Sequence, residues 1–135
     1  MKARREFLKR SLAVSGAAIA GTATMAYAAG KFPAGLIYTQ DAPGHWKGKE
    51  GLHAPKVMLH GTMVMITTPH PMTEKHFIVK HTLLTSKGVL IGEKTFANTD
   101  EKAESSFELP EGTKGVLWAT SFCNLHDLWL AEIKV

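Results

Sequence analysis

Beyond residue 50 the chain breaks into short apolar or alternating runs separated by turn-forming residues, and this rhythm is what most limits the folds open to it. After residue 30 no stretch keeps a helical spacing of apolar positions over more than two turns. Runs over 56–60 and 62–67 flank Gly61 and predict a hairpin; runs over 76–84, 89–96, 105–109, 115–121 and 128–135 follow. The third alternates with period two, placing Phe77, Val79, His81 and Leu83 on one side and His76, Ile78, Lys80 and Thr82 on the other. Pro69, Pro71 and Pro110 fall between runs, where they interrupt no ladder. About seven short strands at this spacing predict an all-β fold, an immunoglobulin-like antiparallel β-sandwich.

The N-terminus reads as an address. Arg4 and Arg5 precede a mildly apolar stretch over 11–25, rich in Ala and Gly, and Ala26-Tyr27-Ala28 has the small-x-small pattern of a cleavage site. Residues 1–28 are expected to be a twin-arginine signal peptide, and the protein to be periplasmic. The apolar part is shorter than the roughly 20 residues of a spanning helix and is diluted by Gly, Ser and Thr. Residues 29–50, rich in Gly, Pro and Lys, are expected to form an extended arm, and 51–135 the sandwich.

The formal net charge of +4 belongs to the address, where Lys2, Arg4, Arg5, Lys9 and Arg10 face only Glu6. The remainder balances 11 basic against 11 acidic residues. That leaves no support for a nucleic-acid or anionic-membrane partner.

Cys123 is the chain's single cysteine. Outside the cytoplasm it is inert, intermolecular or held by a metal. In Cys123-Asn124-Leu125-His126 a thiolate and an imidazole three residues apart can converge on one ion, although Cys-x-x-His alone is common and also suits zinc. His70 and His76 flank a loop opened by Pro71, and His53 stands at the head of the hairpin before Pro55. Pro55 favours His53 over His45, which also lies beside a Gly-rich loop. His45, His60 and His81 are expected to be surface or strand histidines. Trp118, Trp129 and Phe107 are expected in the core, and the alternation of Met58, Met63 and Met65 suggests packing. Asn124 either bonds near the thiolate or makes the turn. Four imidazoles and one thiolate exceed a tetrahedral zinc site by one and suit iron, which accepts five or six ligands.

The combination of His53-x-Pro55, His70-Pro71-Met72, His76 and Cys123-Asn124-x-His126-x-x-Trp129 resembles the iron domain of the desulfoferrodoxin and neelaredoxin family, the superoxide reductases, over about residues 50–135. The resemblance implies one mononuclear iron, with His53, His70, His76 and His126 in a plane and Cys123 as axial ligand. It further implies superoxide as substrate, a small external electron-donor protein, and assembly into homo-oligomers. The four-cysteine second iron site of some members cannot exist in a chain with one cysteine.

The family pattern places Glu-Lys directly before the first histidine, the lysine guiding superoxide and the glutamate capping ferric iron. Here the run is Lys47-Gly48-Lys49-Glu50-Gly51-Leu52-His53, which leaves Glu50 and Lys49 as displaced candidates for those catalytic roles. The stretch between His53 and His70 looks shorter than usual, and Asp127 stands where a glycine is usual. Two other readings stay open: a non-catalytic iron protein that carries electrons or senses redox state, and a zinc-binding or sulfur-carrier sandwich using Cys123 alone.

Overall fold

Among the described residues seven strands, β1 (Lys56–His60), β2 (Met63–Thr68), β3 (Ile78–Thr85), β4 (Leu90–Thr95), β5 (Ala103–Glu108), β6 (Val116–Cys123) and β7 (Asp127–Lys134), form two antiparallel sheets. One is ordered β1-β2-β5 and the other β4-β3-β6-β7. This is the sandwich expected. The computed structural model describes residues 34–135; the signal expected over 1–28 and the start of the arm lie outside them.

The inward positions of the central strands form the core. Val64 and Ile66 of β2 meet Leu83 of β3 and Leu117 and Ala119 of β6, all essentially removed from water. Burying each such side chain stabilises the fold by about 1.5–3 kcal/mol. A second cluster, Ile78, Phe96, Ala103 and Cys123, carries the core to the end of the sandwich where the cysteine lies.

Strand β3 departs from the simple alternation. Ile78 pairs with Cys123 and Lys80 with Phe122, so Val79 is an extra residue opposite one step of β6. A bulge of this kind flips the side-chain register. Ile78 therefore shares the buried face with His81 and Leu83 instead of opposing them. Strand β6 also runs further than expected: Cys123 is its last residue, not part of the following turn. Met58 and Met65 are paired across β1 and β2, but both are exposed, so they do not pack into the core.

The described part of the arm joins the sandwich. Tyr38 forms an isolated parallel bridge to Trp129, with its N–H donating to Leu128 O at 3.0 Å and its carbonyl accepting from Leu130 N at 2.8 Å. Tyr38, Ala54 and Trp129 are buried together, with Trp46 packed against them. A 3-10 turn at Gly44–Trp46 and one helical turn, α1 (Glu50–His53), bring the chain back over the same end.

Candidate metal centre

Five side chains from separate places in the fold meet at this end. His53 closes α1, His70 follows β2, His76 precedes β3, Cys123 ends β6, and His126 lies in the turn to β7.

Each is aimed by its own backbone. The N–H of His70 donates to Thr68 O at 2.8 Å between Pro69 and Pro71, a tight turn off the end of β2. Thr73 Oγ1 accepts the His76 N–H at 3.0 Å, and Thr73 N donates to His76 O at 3.0 Å. The β6–β7 turn ends on Asp127, whose φ of 64° is the only positive value among non-glycine residues described. Asp tolerates that left-handed conformation better than most residues, which explains how it replaces the glycine usual there.

The imidazoles form a closed belt. Ring centroids of His53 and His70 are 4.6 Å apart, His70 and His76 4.2 Å, His76 and His126 4.7 Å, and His126 and His53 4.6 Å. The diagonal from His53 to His76 is longer, at 5.8 Å. Four neighbours and a longer diagonal describe the corners of a square. The donor atoms are closer still: His76 Nε2 is 3.0 Å from His70 Nε2, 2.9 Å from His126 Nδ1 and 3.2 Å from Cys123 Sγ.

One nitrogen cannot hydrogen-bond to three partners. Ligands at right angles, with metal–nitrogen bonds of about 2.1 Å and a metal–sulfur bond of about 2.3 Å, stand about 3 Å from one another, which matches all three separations. His53, His70, His76 and Cys123 each offer a donor atom within 4.8 Å of the others. His53 Nε2 is buried with no hydrogen-bond partner among the described residues, while its Nδ1 lies 2.8 Å from Lys49 O. A carbonyl only accepts, so Nδ1 carries the proton and Nε2 presents a free lone pair to the centre. These donors fit a six-coordinate transition ion better than a closed tetrahedral one, which takes only four.

The electrostatics agree. Burial, ahead of every other cause, lowers the pKa of His53, of His70 to about 4, of His76 and of His126. All four imidazoles are therefore neutral at pH 7, the form that ligates. Burial raises the Cys123 thiol, opposed by the backbone N–H groups of Leu125 and His126. Ionising it calls for a cation, and a bound metal supplies one.

A second ring of contacts holds these ligands. Trp129 Nε1 donates to His126 O at 2.8 Å, and the Trp46 and His126 rings stand nearly perpendicular with centroids 4.6 Å apart. Asn124 straddles His76: its Oδ1 accepts from Phe77 N at 3.0 Å and its Nδ2 donates to Lys75 O at 3.0 Å. The amide thus joins the cysteine turn to the His76 segment, beyond the two roles expected of it, a bond near the thiolate or the making of the turn. Nothing in the residue pattern marked Trp46 for this role.

Of the two displaced candidates, Lys49 sits close enough for its positive charge to depress His53, His76 and His126. Glu50 turns away, its Oε2 accepting from Gly48 N at 2.6 Å. His45 is exposed beside Tyr38 Oη, at 3.3 Å, and belongs to no ligand group described.

Residues 47–132 match the family model described as desulfoferrodoxin. A superoxide reductase of Thermococcus kodakarensis is 31% identical over 106 residues, which span 68% of this chain and 92% of that protein. One of Pyrococcus horikoshii is 28% identical over the same shares. Among solved structures, superoxide reductase (neelaredoxin) from Ignicoccus hospitalis superposes with a TM-score of 0.63 at 30% identity, covering 74% of this chain and 94% of its own.

Proposed function

This chain belongs to the desulfoferrodoxin family, and from that premise we propose that it is a one-iron superoxide reductase, converting superoxide to hydrogen peroxide with electrons from an external donor protein. The observation that carries the proposal is the square of His53, His70, His76 and His126 with the Cys123 sulfur beside it. Iron held by these donors would supply the one electron that superoxide takes, with two protons from the surroundings completing hydrogen peroxide.

The chain's own residues prepare that chemistry. The belt contributes four neutral lone pairs, so the Cys123 thiolate alone offsets a divalent cation and a net positive charge remains to attract an anion. Cys123 is buried and with the four imidazoles would hold the ion from the protein side, so that substrate would approach from solvent. The ammonium of Lys49 adds to the attraction. Carriage across the membrane by a twin-arginine signal over residues 1–28, and thus a periplasmic site of action, completes the proposal.

Pulse radiolysis of the iron-loaded protein tests it. A reaction with superoxide near the diffusion limit, slowed severalfold by Lys49→Ala, is expected. The engagement of Glu50 by Gly48, away from the role the family pattern gives a glutamate, favours one second reading: an electron carrier on the same scaffold. An intact ferrous site that reacts slowly with superoxide selects the carrier.

A further inference from the structure

The metal-bearing end of the sandwich contains a polar cluster that no step above uses. His81, fully buried on β3, has both ring nitrogens engaged. Nε2 lies 2.8 Å from Thr68 Oγ1 and Nδ1 lies 2.8 Å from Ser105 Oγ. Thr68 Oγ1 in turn donates to Ser121 Oγ at 2.7 Å, and the ring of Phe96 closes the pocket at 4.8 Å, edge to face.

The proton inventory gives these bonds one direction. Thr68 has a single hydroxyl proton and gives it to Ser121, so His81 Nε2 must be the donor toward Thr68. A neutral ring then accepts at Nδ1 from the Ser105 hydroxyl. The chain runs Ser105, His81, Thr68, Ser121 with every link satisfied.

Its members sit where the ligands are hung. Thr68 and Ser105 belong to one sheet, His81 and Ser121 to the other, so the bonds cross the sandwich. Thr68 is two residues before His70 and its carbonyl takes the His70 N–H. Ser121 is two residues before Cys123 on the same strand and pairs with His81 across β3 and β6. His81 faces inward with Leu83 on β3, downstream of His76 and of the bulge at Val79. The Thr68 hydroxyl therefore joins the three strand ends that present His70, His76 and Cys123. Apolar contacts leave such ends free to slide by tenths of an ångström, whereas directional bonds fix their separation.

We propose that His81 is a positioning residue which, through Thr68 and Ser121, staples the two sheets and sets the distance between the His70 imidazole and the Cys123 sulfur. This rests on the reading of the five side chains as one metal centre. It assigns the geometry of that centre to a histidine outside the ligand set.

Cobalt(II) titration of the metal-free protein tests the staple, since cobalt reports thiolate ligation by a charge-transfer band and ligand geometry by its visible absorption. Thr68→Val keeps the shape and deletes the hydroxyl. It is expected to weaken cobalt binding about 10-fold to 100-fold and to shift the thiolate band. Thr68→Ser restores the hydroxyl and is expected to restore both to near wild type. Gly92→Ala, a core change remote from the ligands, lowers stability generally and is expected to move neither. If Thr68→Val does not fold, Ser121→Ala, which leaves His81 both its partners, serves the same comparison.

Wild-type affinity and band in Thr68→Val or Ser121→Ala overturn the staple while leaving the metal centre standing. Equal losses in Gly92→Ala overturn it too, by showing that general stability sets the affinity. A wild-type protein without a thiolate–cobalt band overturns the metal-centre reading itself, and the staple with it.

Discussion

Trp46 Nε1 donates to the carboxylate of Asp127 at 3.0 Å, latching the N-terminal arm to the residue that follows His126. The latch holds the Trp46 ring nearly perpendicular to the His126 ring and sits on a backbone whose φ of 64° suits glycine best. Replacing Asp127 by Gly or by Ala removes the carboxylate equally, but only Ala keeps a Cβ in the left-handed region. Asp127→Ala is therefore expected to be less stable than Asp127→Gly by about 1 kcal/mol. Urea midpoints measure the difference, and equal midpoints would show that the turn carries no such strain.

Gly92 of β4 faces the ring of Phe107 of β5 across the two sheets. A Cβ built on Gly92 would collide with the Phe107 ring, and both neighbours lie within strands that cannot readily withdraw. Gly92→Ala is expected to cost about 1–3 kcal/mol. Combining it with Phe107→Leu should recover part of that loss, a coupling visible in a double-mutant cycle of thermal or urea unfolding.

Asn124→Ala deletes two bonds to the backbone on either side of His76 without touching a ligand. The exposed amide leaves little uncompensated burial behind, so global stability is expected to fall by only about 1 kcal/mol. Metal affinity is expected to fall about 10-fold or more, because the His76 corner of the square loses its tie to the cysteine turn. Metal titration alongside unfolding separates the two effects; a loss of stability with unchanged affinity would assign Asn124 to the turn alone.

The period-two runs made the strands legible, and β1 lies where its run predicts. Ligand types were legible as well, because the single cysteine stands three residues before His126, and His53, His70 and His76 lie around Pro55, Pro69 and Pro71. What escaped was set by tertiary register. A single extra residue, Val79, reverses which side of β3 faces inward, and nothing in Phe77-Ile78-Val79-Lys80 marks the bulge. The burial of Ile78 beside His81 and Leu83 follows from it and was hidden for the same reason. Tyr38 and Trp46 escaped differently: their segment is rich in Gly and Pro, and its packing on Trp129 depends on a partner about ninety residues away in the chain. The turn of Glu50 toward Gly48 is a local hydrogen bond that spacing cannot foretell.

His81 also predicts how stability depends on pH. Burial, and after it the positive charge of Lys94 on the adjacent strand β4, hold its pKa at about 4. The other groups packed on the ring are the hydroxyls of Thr68 and Ser105 and the side chain of Phe96, none of which titrates in this range. The folded-state value lies below the unfolded value of about 6.5. Above pH 6.5 the ring is neutral in both states and stability does not respond. Between 6.5 and about 4 the unfolded chain takes up a proton that the folded one refuses, so stability falls with pH, by about 3 kcal/mol over the window. His81→Gln keeps a donor and an acceptor but cannot titrate. The ligand histidines are present in both proteins and cancel in the comparison. The stability difference between wild type and His81→Gln is thus expected to be constant above pH 7 and to shift by about 3 kcal/mol against wild type on descent to pH 4. A difference independent of pH would mean that the ring takes up its proton as readily folded as unfolded, and that His81 is less enclosed by β2, β5 and β6 than its two hydrogen bonds imply.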